Sequence, residues 1–80
     1  MGNRRRVRFS RHALTESMPD RDITIAEVLA TLASPDYEFP GNQPNTVESY
    51  GSTADGRPFY VVSAKERSFV ITVALVEGPK

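Results

Sequence analysis

The chain has 80 residues, of which 39% are hydrophobic and 25% charged, and this composition indicates one globular domain spanning residues 1–80, not a disordered chain. With no cysteine and a single histidine, disulfides, a thiol nucleophile and thiolate or histidine-rich metal sites are excluded, so no metal or cofactor is expected. No apolar run approaches the roughly 20 residues of a membrane span, so we expect a cytoplasmic protein without a membrane partner.

The formal net charge is zero, but the positive charge is concentrated at the start of the chain. Five of the ten cationic residues precede the first acid, Glu16, and the remaining chain has a formal charge of −5. Guanidinium groups pair with phosphates and release counterions, so such a cluster is typical of a nucleic-acid footprint. The alternative is a solvated terminus. The five residues are Arg4, Arg5, Arg6, Arg8 and Arg11.

The first predicted element is a short strand from Arg5 to Phe9, because Val7 and Phe9 alternate with arginines. With a period of two, Arg6 and Arg8 project together from the opposite face. The alternation therefore predicts a paired cationic feature.

A helix is predicted next, from about residue 11 to residue 18, with Ser10 as its N-cap. Leu14 and Met18 lie four residues apart and are expected to face the core. Pro19 is expected to end the helix, because proline disfavours the helical conformation of the residue before it.

His12 falls in the first turn of this helix, away from the predicted apolar side. The helix macrodipole disfavours a protonated ring there, so a neutral imidazole able to accept a proton is expected. Together with Arg21 and the face formed by Arg6 and Arg8, it can supply the base and the cations of metal-independent RNA cleavage. The alternative is a histidine that packs or caps locally, and an Arg21 that pairs with a neighbouring carboxylate.

The second helix is predicted from Thr24 to Ala33. Thr24 and Glu27 form a T-x-x-E capping box, which is the clearest helix start in the sequence. An apolar stripe follows at helical spacing and consists of Ile25, Val28, Leu29 and Leu32.

Residues 36–45 contain two prolines, a glycine and two asparagines, which predicts a loop. From residue 46 the period changes to two, and residues 46–51, 58–65 and 69–76 are predicted strands joined by short hairpin connections. The expected fold is therefore α+β, in the order β-α-α-β-β-β, with two helices on one face of a four-stranded, mostly antiparallel sheet.

Two further predictions concern single side chains of these strands. Tyr50, Phe59 and Tyr60 can stack on bases, although packing within the protein is the alternative for strand aromatics. The residues expected in the core are Leu14, Val28, Leu29, Leu32, Val61, Ile71 and Val73.

Several short motifs occur in an order that resembles the small bacterial DUF4258 family over nearly the whole chain. They are RFSRHAL, then RDIT-x-AEV-x-x-x-L-x-x-P, a later tyrosine strand, and DGRPFYVV followed by VITV. Two positions depart from the family pattern: Ser17 stands where an arginine is expected, and Pro19 lengthens the spacing to Arg21 by one residue.

The resemblance implies a compact α+β fold similar to the RelE/ParE toxin superfamily. It further implies a metal-independent ribonuclease or RNA-targeting toxin, with RNA and a cognate antitoxin-like protein as partners. Carried over by position, the catalytic residues would be His12, Arg21 and Thr72, and the expected RNA contacts are Arg6, Arg8, Arg11 and Tyr50. The alternative is a non-catalytic RNA- or protein-binding module of the same fold, or an interaction protein using a sheet edge.

Overall fold

The computed structural model of the protein describes residues 7–76, which form two helices and one five-stranded sheet. The helices are α1 (Met18–Arg21) and α2 (Ile25–Ala33). The strands are β1 (Arg8–Phe9), β2 (Tyr37–Pro40), β3 (Thr46–Ser52), β4 (Pro58–Ala64) and β5 (Phe69–Leu75). Among the helices of residues 7–76, none has the length and apolar character needed to cross a membrane.

Helix α2 begins where its capping box predicts. Thr24 Oγ1 accepts the Glu27 N–H at 3.1 Å, and Glu27 Oε1 accepts the Thr24 N–H at 2.8 Å. Two N–H groups that have no partner within the helix are thereby satisfied. The predicted capping box and helix boundary are confirmed.

The first helical segment differs from its prediction because it contains a π-helical turn, Ala13–Ser17, directly before α1. The Met18 N–H donates to the Ala13 carbonyl, and Pro19 then occupies the first turn of α1, where a missing N–H costs little. The expectation that Pro19 ends the helix was wrong. The segment ends instead at Asp22, whose left-handed backbone (φ 57°) closes the last turn.

The π turn also moves the buried side of this segment by one residue. A wider turn shifts the face that four-residue spacing predicts, so Ala13 and Ser17 are buried together with Met18. Leu14, which was predicted to be buried, is 44% exposed.

The sheet has the spatial order β1-β5-β4-β3-β2. Only β1 runs parallel to its neighbour, and the other three pairings are antiparallel. The mostly antiparallel sheet is confirmed, but it has five strands and not four. Of the predicted strand from Arg5 to Phe9, only Arg8–Phe9 forms β1, and its first two residues lie outside the described part of the chain.

The additional strand is β2, which lies within the stretch predicted to be a loop. Tyr37, Glu38 and Phe39 alternate between the two faces, and β2 pairs with β3 along all of its four residues. Pro40 is compatible with a strand because β2 lies at the sheet edge and Pro40 is its last residue. The flanking prolines and glycine concealed this short alternation.

The core lies between the helices and one face of β3, β4 and β5. Four of the seven core predictions are confirmed, namely Val28, Leu32, Val61 and Val73. Leu14, Leu29 and Ile71 are more exposed than predicted. The core also contains Ala13, Met18, Ile23, Phe59 and Val70.

Ile71 leaves the regular alternation because β5 has a bulge at this point. The pairing with β4 moves from Val62 opposite Thr72 to Ser63 opposite Val70, so Ile71 is the extra residue. Its carbonyl accepts a hydrogen bond of 2.7 Å from Ser10 Oγ. This hydrogen bond holds the start of the first helical segment against β5, just beyond the two residues of β5 that pair with β1.

Candidate functional site

The predicted N-cap residue Ser10 has a dual role. Its Oγ accepts the Ala13 N–H at 3.0 Å while it donates to Ile71. The predicted cap is confirmed, and it places His12 in the exposed first turn. The His12 Nδ1 lies 3.4 Å from Glu16 Oε1, one turn further along the segment.

The other two residues carried over as catalytic, Arg21 and Thr72, lie around the buried Ser17. Arg21 donates through Nη1 to the Ser17 carbonyl at 3.3 Å, and the Ser17 and Thr72 hydroxyl oxygens are 2.8 Å apart. His12 and Arg21 are nine residues apart on one helical segment, or about 13 Å along its axis. The structure thus brings Arg21 and Thr72 together through Ser17 and places His12 near the other end of the segment.

The arginines predicted to contact RNA precede Ser17, Arg21 and Thr72 in the chain. Arg8 is exposed on β1, opposite Phe69 of β5, and Arg11 is exposed at the start of the helical segment. Arg6 lies outside the described residues, so the predicted pairing of Arg6 with Arg8 stays a prediction.

A more distinctive feature is a row of three tyrosines on the sheet face opposite the core. Tyr37, Tyr50 and Tyr60 are direct cross-strand partners on β2, β3 and β4. Their ring centroids are 5.0 and 5.1 Å apart, with interplanar angles of 16° and 26°. We call these three residues the tyrosine row.

Phe39 extends the aromatic surface beside the tyrosine row. Its ring meets Tyr37 and Tyr50 edge-on, with centroids 5.5 and 5.7 Å away. Tyr37 is 56% exposed and Phe39 is 51% exposed. Stacked and edge-on contacts stabilise the rings mutually and keep them ordered on an open face.

The sequence identified only part of this surface. The strand pattern predicts that Tyr50, Phe59 and Tyr60 can stack on bases, with Tyr50 as an RNA contact, but it places Tyr37 and Phe39 in a loop. Of the three, Phe59 is fully buried on the opposite face. The alternation of Tyr37, Glu38 and Phe39 was the available signal.

Tyr50 at the centre of the row is held as a protonated phenol. Burial and the hydrogen bond from its hydroxyl to Glu48 Oε1, 2.9 Å long, raise the pKa of Tyr50 to about 12. The group is therefore a neutral donor at physiological pH, and it does not serve as a base.

The row ends at a groove in front of Ala74. Ala74 is the cross-strand partner of Tyr60, so it occupies the fourth position of the row. The groove has a volume of about 630 Å³ and is lined by Arg21, Tyr50, Tyr60, Ala74, Leu75 and Val76. It connects the aromatic surface with the end of α1.

Arg57 fixes the backbone at that end of α1. Its guanidinium donates to the Arg21 carbonyl at 2.7 Å and to the Asp22 carbonyl at 3.1 Å. Asp55 pairs with the same guanidinium at 3.1 Å. The hydrogen bond from the Thr53 hydroxyl and the contact with Arg57 keep the pKa of the Asp55 carboxyl below its ordinary value. Arg21 itself takes part in none of the ion pairs found within residues 7–76.

The charge of the described part of the chain is unfavourable for phosphate binding on its own. Residues 7–76 contain six lysines and arginines against nine aspartates and glutamates, a formal difference of −3. In the same residues, no group of three His, Asp or Glu side chains is arranged to hold a metal ion. The site therefore offers an aromatic surface, hydroxyl groups and the guanidinium of Arg21, which takes part in none of the ion pairs of the described residues.

No protein-family model matches this chain, and comparisons with curated proteins and with solved structures found no match.

Proposed function

We propose that the protein is an RNA-binding module that holds single-stranded RNA on its open sheet face. The observation that carries this proposal is the tyrosine row, which lies in register across three strands with the exposed Phe39 beside it. Unpaired bases stack on aromatic side chains, and each stacked base contributes roughly 1–3 kcal/mol.

The distribution of charge defines how such binding would work. The described residues include more acidic than basic side chains, so the affinity for RNA must come chiefly from stacking. The arginines at the start of the chain add an electrostatic part. Deleting residues 1–6 should then reduce both the affinity and its dependence on salt, while the stacking contribution remains.

The position of His12 supports binding over cleavage. A general base must lie within hydrogen-bond reach of the proton that it removes, and the cations must lie near the same phosphate. His12 pairs with Glu16, about 13 Å along the helical segment from Arg21. A ribonuclease related to the RelE/ParE toxins, with an antitoxin-like partner, is the second hypothesis, and the meeting of Arg21 and Thr72 at Ser17 favours it.

A labelled single-stranded RNA of about ten nucleotides tests the proposal by fluorescence anisotropy. We expect Phe39→Ala to weaken binding about fivefold or more, since one stacking partner is lost. Phe69→Ala is the matched control, because Phe69 is an exposed phenylalanine at the start of β5, three strands away from Phe39 in the sheet. Equal effects of the two variants, or no binding by the wild type, would reject the proposed face.

The same samples separate binding from cleavage. The RNA is expected to stay intact during prolonged incubation, and induced expression is expected to leave growth unchanged. RNA cleavage that is lost in His12→Gln would establish the ribonuclease in place of the binding module.

A further inference from the structure

We infer that the groove at Ala74 is a nucleotide subsite, in which one base stacks on Tyr60 and its phosphate contacts Arg21. This inference rests on the proposed function and specifies how one unit of the RNA strand is held. It begins from the composition of the row, where three large rings are followed by the small side chain of Ala74.

One ring face of Tyr60 is covered by Tyr50, at a centroid distance of 5.1 Å. The other ring face is directed to the β5 side, where the cross-strand partner is Ala74. A methyl group covers little of an aromatic ring, and adjacent strands are about 4.8 Å apart, which is close to the ring spacing within the row. A planar base above Ala74 would therefore continue the stack at about the distance that separates the tyrosine rings.

The far wall of the groove is the end of α1, which supplies Arg21. Its Nη1 donates to the Ser17 carbonyl at 3.3 Å, and a guanidinium has five N–H donors, so several remain for a phosphate. The two hydrogen bonds from Arg57 to the carbonyls of residues 21 and 22 hold this wall in place.

Nearby acids determine the direction in which a nucleotide would lie. Glu48 accepts the Tyr50 hydroxyl and lies on the row side of the groove, where it would repel a phosphate. Asp20 and Asp22 are exposed beside Arg21. Their negative charges limit the site to an anion of low charge, such as a single phosphate group. The base is thus expected over Ala74 and a single phosphate at Arg21.

The test uses the full chain and nuclear magnetic resonance titration with adenosine 5′-monophosphate, adenosine and inorganic phosphate. We expect the monophosphate to bind more tightly than adenosine and to shift the Ala74 methyl signal through the ring current of the base. Arg21→Gln should reduce the affinity for the monophosphate to that for adenosine. Phosphate alone should leave the Ala74 methyl signal unchanged.

Filling the groove provides the decisive variant. Ala74→Leu is expected to weaken binding of the monophosphate about tenfold, which corresponds to about 1.4 kcal/mol. Ala64→Leu is the matched control, since Ala64 lies on the same sheet face of β4 but outside the groove. If Ala74→Leu does not fold, the shift of the Ala74 methyl signal in the wild type decides the question.

The outcomes for the two proposals are separate. RNA binding that needs Phe39 but is indifferent to Ala74→Leu, with no shift of the Ala74 methyl signal, would overturn the subsite and leave the proposed function standing. A monophosphate that binds at Ala74 while single-stranded RNA does not bind would overturn the proposed function and make the groove a site for free nucleotides.

Discussion

Two leucines on α2 allow the assignment of the buried face to be tested with one kind of substitution. Leu29 and Leu32 both belong to the apolar stripe, yet Leu32 is 8% exposed and Leu29 is 41% exposed. Leu32→Ala removes three carbons at about 0.8 kcal/mol each, and a partly closed cavity raises the loss to about 3 kcal/mol. Leu29 is only about three fifths buried, so about three fifths of the free energy of burying these three carbons is lost, and no cavity is enclosed. The expected loss of stability is about 1.5 kcal/mol.

Urea unfolding followed by circular dichroism measures both values. An 80-residue domain has a total stability of roughly 4–12 kcal/mol, so Leu32→Ala should lower the melting temperature by about 12–24 °C. Leu29→Ala should lower it by roughly half as much. The identical substitution on the same helix controls for helix propensity. Losses that agree within about 0.5 kcal/mol would refute the assignment of the buried face, because that is the scale of unrelated surface effects.

Three further outcomes test contacts elsewhere in the fold. Gly51→Ala would place a Cβ 2.5 Å from Thr31 Oγ1, so we expect a loss of about 1–3 kcal/mol in thermal unfolding that a second change, Thr31→Ala, largely reverses. The Arg67 guanidinium lowers the pKa of Glu38, so this stabilisation is present above the ordinary carboxyl pKa and is lost as the pH falls through the lowered value. The stability of Glu38→Gln should accordingly fall less than that of the wild type between about pH 5 and pH 3. In an ultraviolet titration, the last tyrosine to ionise as the pH rises should titrate at about pH 12, because burial raises the pKa of Tyr50. Tyr50→Phe should remove that component of the titration.

The features that the sequence determined are those set by neighbouring residues. The capping box of Thr24 and Glu27 needs only a three-residue spacing, and the Ser10 cap needs only the N–H of Ala13. Strands β3, β4 and β5 follow from a period of two over seven residues each, so their positions were predicted within one residue.

Features that depend on contacts between distant residues were decided by the tertiary structure. The π turn buries Ala13 in place of Leu14, because the segment must lie along the β5 edge, with Ser10 bonded to Ile71 and Ser17 to Thr72. No local periodicity encodes that adjustment, since both partners lie more than 50 residues away in the chain.

The candidate site shows the same division most clearly. The sequence identified Tyr50, Arg21 and Thr72 as separate residues, but the register of β2, β3, β4 and β5 was needed to align the tyrosine row with Ala74. A shift of one residue in any of these pairings would move a tyrosine ring or Ala74 to the opposite face, so the site exists only through cross-strand register. Local pattern determined which residues form helices and strands, and tertiary packing determined which side chains meet.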